Sequence, residues 1–134
     1  METNITVVVD NKSFDGIQGE WGLSILVQYN GKKILLDAGA SDLFLENMKK
    51  LKIDVADIDY ATLSHAHYDH ANGLPVFLDN NNKAKLYLRD KTEECCYKKV
   101  FIFKKYIGIP AFHIPYAGKL QQISEKCSGH TACR

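Results

Sequence analysis

Three of the five histidines in this 134-residue chain, together with one carboxylate, fall within six positions: His65-Ala66-His67-Tyr68-Asp69-His70. On a helix His65 and His67 point about 200° apart and cannot share an ion. In extended or loop backbone, residues two apart face the same way, so the pair can clamp one metal. Asp69 and His70 then address a second position if the chain turns there. Imidazole nitrogens bind a borderline-soft divalent ion such as zinc, and a carboxylate both ligates it and orients a bound water. The plainer reading is a polar surface loop with clustered histidines. Against it stand the apolar run before the cluster and the Gly73-Leu74-Pro75 element after it.

Elements on either side must hold that loop. Ile5–Asp10 is a continuous apolar run with three consecutive valines, the pattern of a strand buried on both faces. Leu23, Ile25, Val27 and Tyr29 alternate with Gly22, Ser24, Leu26 and Gln28, which predicts a second strand. Asn30-Gly31 predicts a type I′ hairpin turn into a third strand over Lys33–Asp37. Asn11–Glu20 carries no periodicity and is expected to be a loop. Ser41 is expected to cap a helix to about Leu51, with Phe44, Met48 and Leu51 on one apolar face. Tyr60–Ser64 is the strand leading into the histidines, Gly73–Leu78 a short helix and Ala84–Leu88 a further strand. Asp90 with Glu93 predicts a capping box opening a helix to about Tyr106, with Cys96, Val100, Phe103 and Ile107 as its core stripe. The lysines at 98, 99, 104 and 105 would then form a solvated helix face, the favoured reading over a substrate-facing patch. Strands followed by helices, twice over, indicate an α/β layered fold in a single domain over residues 1–134, its tail from 111 onward weakly structured.

Composition narrows the partners. The chain is 46% hydrophobic and 25% charged, which argues against disorder, and its net charge of +1 predicts no global attraction to nucleic acid or anionic lipid. No stretch approaches the ~18 apolar residues of a membrane span, and the N-terminus lacks a basic region before its short apolar run. Cys95 and Cys96 are adjacent and Cys127 and Cys133 lie near the C-terminus, so reduced thiols and a cytoplasmic location are expected. The expected partner is a small-molecule substrate, with no nucleic acid and no membrane.

The cluster His65 to His70 resembles the HxHxDH signature of the metallo-β-lactamase superfamily. Asp37-Ala38-Gly39 resembles that superfamily's first motif, a turn beside the metals. More narrowly, Val9-Asp10-Asn11, Glu20-Trp21-Gly22-Leu23-Ser24 and Lys105-Tyr106-Ile107-Gly108-Ile109-Pro110 resemble the branch containing dihydropterin and ribofuranosylaminobenzene-phosphate synthase-like proteins. The resemblance covers about residues 5 to 110. It implies an αββα sandwich of which this chain supplies the N-terminal αβ half. It also implies two zinc ions, the first on His65 and His67 and the second on Asp69 and His70, with Asp69 catalytic in holding the nucleophile. Superfamily members complete these sites with later residues. Ser128-Gly129-His130-Thr131 is similar to a Gly-His-Thr motif that carries a third histidine, which makes His130 a candidate ligand against the reading of a frayed tail. His113, between Phe112 and Ile114, is expected to be packed rather than ligating. Trp21 is expected to pack at a core or edge, Tyr68 either lines the site or is an exposed loop residue, and Asp37 orients the histidine loop rather than ligating.

Two functions follow as expectations. The first is a zinc-dependent hydrolase in which a metal-activated hydroxide attacks a carbonyl or phosphoryl centre. The second is a half-length metal-binding remnant without turnover, whose uncovered sheet face invites dimerisation, so a homodimer is among the expected partners.

Overall fold

Asn30 and Gly31 take φ of 47° and 73°, the left-handed pair that a type I′ turn requires. The turn joins β2 (Ser24–Tyr29) to β3 (Lys32–Leu36) as an antiparallel hairpin closed by Tyr29 opposite Lys32. The computed structural model describes residues 2–89, 97–100, 103–106, 108 and 120–123. On the other side of β2 lies β1 (Thr3–Val9), antiparallel, with its register shifting between Val7 and Val9. From β3 the chain crosses through α1 (Leu43–Lys50) and a 3-10 turn at Val55–Asp57 to β4 (Tyr60–Thr62), parallel to β3. Two short helices, α2 (Tyr68–Ala71) and α3 (Leu74–Asn80), lead to β5 (Lys85–Arg89), parallel to β4. An antiparallel hairpin of β6 (Tyr97–Val100) and β7 (Phe103–Tyr106) stands apart, and β8 (Leu120–Ile123) runs parallel to β5. The sheet order is β1-β2-β3-β4-β5-β8.

One sheet face carries the core. Leu26, Leu35, Ala61 and Leu86 stand in register across four strands and are fully buried. Phe44 and Met48 of α1 and Leu74, Phe77 and Leu78 of α3 are fully buried with them. Helix α1 ends in a Schellman motif: Ile53 N–H bonds Met48 O and Lys52 N–H bonds Lys49 O, with Lys52 at φ 57° where glycine is usual. Asn81 seals the far end, donating to Val55 O and Ile58 O at 2.8 and 2.9 Å.

Three expectations change. The valine-rich first strand is not buried on both faces: it is an edge strand, with Ile5 68% and Val7 52% exposed. Periodicity cannot separate a doubly buried strand from an edge strand whose outer face lacks a partner. The helix expected to run to Tyr106 is, over its described part, the β6–β7 hairpin, with Lys98 registered against Lys105 and Lys99 against Lys104. The β-branched and aromatic run at positions 100–103 favours extended backbone, while the capping-box residues Asp90 and Glu93 lie outside the described residues. The first helix begins at Leu43, where the Ser41 hydroxyl accepts the Leu43 N–H at 3.1 Å from two residues upstream.

Candidate metal centre

Parallel pairing of β3 and β4 brings two chain segments to one sheet edge. Leu36 is registered with Thr62, so Asp37 just beyond β3 and the histidine loop just beyond β4 emerge side by side. Ligands in open α/β sheets gather at this carboxyl end of the strands. Backbone bonds lock the two segments: Asp37 N–H to Thr62 O at 3.0 Å, Ala38 N–H to His70 O at 2.8 Å and Leu23 N–H to Asp69 O at 3.2 Å.

The backbone of the cluster is as the spacing requires. His67 is extended (φ −87°, ψ 149°) and serves as the N-cap of α2, so the chain turns into a single helical turn just after the first two histidines. His65 Nε2 lies 3.1 Å from His67 Nδ1. His70 Nε2 lies 3.7 Å from Asp69 Oδ2. The His65 ring sits between the others, its centroid 4.5 Å from that of His67 and 4.1 Å from that of His70. The four predicted donors thus form two adjoining pairs. Among the described residues no three His, Cys, Asp or Glu side chains converge as a ready ligand group.

The pairs fit a divalent cation. In a tetrahedral zinc site with bonds of ~2.0–2.1 Å, two nitrogens stand about 3.3–3.4 Å apart, near the separation of the first pair. His70 Nε2 faces Asp69 Oδ2, while the opposite ring nitrogen of His70 is engaged by Asp37 at 2.7 Å. Such a carboxylate–imidazole contact fixes the tautomer of a ligating histidine.

Asp37 is the hub. It is fully buried, adopts φ 58°, and accepts from Ser64 N–H at 2.7 Å, Ser64 Oγ at 2.6 Å and His70 Nδ1 at 2.7 Å. The expectation that it orients the loop is met. Its hydrogen bond holds the His70 pKa above the ordinary 6.5, while burial, then the neighbouring His70 and His67, push His65 below it. Ser64, to which the motif assigns no role, also bonds His65 Nδ1 at 2.9 Å. Only its place one residue before the first histidine could have drawn attention to it.

Glu20 clasps the turn after Asp37, accepting from Ala40 N–H at 2.9 Å, Ser41 N–H at 3.2 Å and Ser41 Oγ at 2.6 Å. Trp21, expected to pack, is 68% exposed, while the backbone of Gly22 beside it lies close against the Asp69 carbonyl. Tyr68 is exposed. His67 backbone pairs with Gly108 in an isolated bridge. His113, His130 and all four cysteines lie outside the described residues, so no structural statement attaches to His130 as a ligand.

The metallo-beta-lactamase superfamily model matches residues 22–126. The chain belongs to the metallo-beta-lactamase superfamily. A solved metal-dependent hydrolase of this superfamily aligns with a TM-score of 0.68 and 31% identity, over 92% of this chain and 42% of its own. An uncharacterized protein of Methanocaldococcus jannaschii is 36% identical over 77 residues, 58% of this chain and 30% of its own length. A ribonuclease Z of Nanoarchaeum equitans is 33% identical over 109 residues, 77% of this chain and 32% of its own length. The chain therefore spans about a third of these curated relatives, with the mixed sheet and helices of one part of the metallo-beta-lactamase fold.

Two expectations are corrected by these likenesses. The narrower resemblance to dihydropterin and ribofuranosylaminobenzene-phosphate synthase-like proteins finds no support, and ribonuclease Z stands among the relatives instead. The exclusion of nucleic acid also fails, because it was inferred from net charge. Net charge averages the whole surface, whereas a metal-holding edge meets a phosphate at contact range. Among the described residues no helix is long and apolar enough to cross a membrane.

Proposed function

We propose that this chain is the metal-holding part of a two-metal hydrolase of the superfamily, with zinc as its ion and a phosphodiester, RNA included, as the substrate class. The observation that carries this reading is the juxtaposition of two donor pairs, His65 Nε2 with His67 Nδ1 and Asp69 Oδ2 with His70 Nε2, at one sheet edge. The all-nitrogen pair and the mixed nitrogen–oxygen pair are donor sets that suit zinc. The relationship to a ribonuclease Z supports the substrate class.

Zinc ions at such a site would supply an acidified water and neutralise charge developing on a phosphoryl oxygen. The chain's own residues do the rest. His65 and His67 present ring nitrogens from non-helical backbone, and α2 carries Asp69 and His70 beside them. Asp69 has its second carboxylate oxygen available to orient an incoming water. Asp37 keeps the His70 Nδ1 proton in place, so the Nε2 lone pair faces outward.

A second reading, a metal-binding unit without turnover, draws on the grouping of the described donors in pairs rather than threes. Measurement of zinc per protomer and of turnover on bis(p-nitrophenyl) phosphate and a structured RNA separates the two. Two zincs, with turnover lost at least ~100-fold in His67→Ala and in Asp69→Asn, are the expected result. Bound zinc with no turnover on either substrate supports the second reading; no bound zinc overturns both.

A further inference from the structure

We propose that Ser64 is a positioning residue that ties the first donor pair to the same buried carboxylate as the second. Asp37 is fully buried, and as a carboxylate it can only accept. The Ser64 hydroxyl, 2.6 Å from Asp37 Oδ2, therefore spends its single proton on Asp37. Its remaining contact, His65 Nδ1 at 2.9 Å, must then be one in which Ser64 Oγ accepts, so the proton sits on His65 Nδ1. That leaves the Nε2 lone pair of His65 free and pointing at His67, 3.1 Å away. His70 is set the same way directly, donating Nδ1–H to Asp37 Oδ2. One carboxylate thus fixes the tautomer of one histidine in each pair, the nearer through contact and the farther through a hydroxyl. The same bookkeeping assigns His67: with His65 Nε2 bare, His67 Nδ1 carries a proton that it donates to His65 until an ion takes its place.

Ser64 also donates its backbone N–H to Asp37 Oδ1 at 2.7 Å. That main-chain donor is kept in Ser64→Ala and Ser64→Thr, so removing the hydroxyl alone leaves the loop anchored and isolates the tautomer effect. This is the reason to test Ser64 rather than Asp37, whose loss would release both histidines together.

The proposal rests on the metal-centre reading for its binding consequence but not for its tautomer assignment, and the two are measured separately. In metal-free protein, long-range nitrogen–proton NMR of the imidazoles is expected to show His65 and His70 both protonated at Nδ1. In Ser64→Ala, His65 should populate both tautomers while His70 keeps Nδ1–H, and Ser64→Thr should restore the wild-type pattern. Zinc titration of the same proteins should show one site weakened ~10–100-fold in Ser64→Ala, the other retained, and recovery in Ser64→Thr. A wild-type His65 protonated at Nε2, or a tautomer unmoved by Ser64→Ala, overturns the proposal whatever the turnover. Correct tautomers in a protein without turnover leave it standing and count against the hydrolase reading alone.

Discussion

Asp37 concentrates more of the site's chemistry than any ligand does. Three donors end on a carboxylate with no access to solvent, and the backbone carrying it sits at φ 58°, tolerable for Asp or Asn and poor for Ala. Asp37→Ala is expected to destabilise the protein by roughly 1–3 kcal/mol in urea unfolding, because a fully buried acceptor of three hydrogen bonds is lost while the partly solvated Ser64 and His70 donors regain some bonding to water. Asp37→Asn, which keeps one acceptor and the left-handed preference, should cost clearly less. An Ala variant as stable as wild type would show that the donors find water. The two shifted histidines pull in opposite directions with pH. His70, raised above 6.5 by its Asp37 bond, contributes stability that is complete below 6.5 and lost as pH climbs through its folded value. His65, lowered chiefly by burial, contributes stability present above 6.5 and lost as pH falls through its folded value. Metal-free His65→Gln should therefore show Tm falling as pH rises past neutrality, and metal-free His70→Gln should show Tm falling on acidification below 6.5. Identical pH profiles for the two variants would remove the Asp37–His70 bond from the account.

The segment entering β2 meets the histidine loop without supplying a candidate metal ligand, and Gly22 makes the approach possible. A Cβ on Gly22 would stand 2.5 Å from Asp69 O and 3.1 Å from Ala40 N, both backbone atoms that cannot swing aside. Gly22→Ala must therefore push α2 away from the start of β2, moving the Asp69–His70 pair before it disturbs the core. The expected signature is zinc affinity reduced by ~10-fold or more at one site with a Tm drop of only a few degrees, checked by calorimetric titration beside thermal melting. Equal, large losses in both would mean that the β2 entry is part of the core's stability rather than of the site's alignment. The hairpin β2–β3 and the helix α1 were legible beforehand: Asn30-Gly31 demands positive φ, and Phe44 and Met48 recur at helical spacing. The β6–β7 hairpin was not, because the Asp90–Glu93 pattern predicts a helix running on to Tyr106, whereas the β-rich run at 100–103 favours strands there.

Across the molecule, the helices cover one sheet face, and the other presents Ile5, Val7, Tyr29 and Tyr60 to solvent. Registry explains the division: Ile5, Val27, Ile34 and Tyr60 share one row, and their strand neighbours Leu26, Leu35 and Ala61 share the buried row on the opposite face. The site lies at the edge between these faces, held by Asp37 and Ser64 from two adjacent parallel strands. A ligand that binds only this folded arrangement stabilises it by mass action, so zinc at about 100 times its Kd should add ~2.7 kcal/mol and raise Tm, with chelator reversing the gain. The same addition to a variant lacking His65, His67 and His70 should leave Tm unchanged; a matching rise there would mean that zinc acts elsewhere.

The spacing His65-x-His67-x-Asp69-His70 was enough to nominate four candidate donors, to demand non-helical backbone for the first two and a turn for the second two, and to point to the superfamily. That information is local, and local periodicity survives in a linear string. The hub at Asp37, its hydroxyl bridge through Ser64 and the pressure of Gly22 on Asp69 join positions 27 to 47 residues apart. They exist only because β3 and β4 lie parallel and in register, a pairing set by burial of the whole sheet face and by no single stretch of chain.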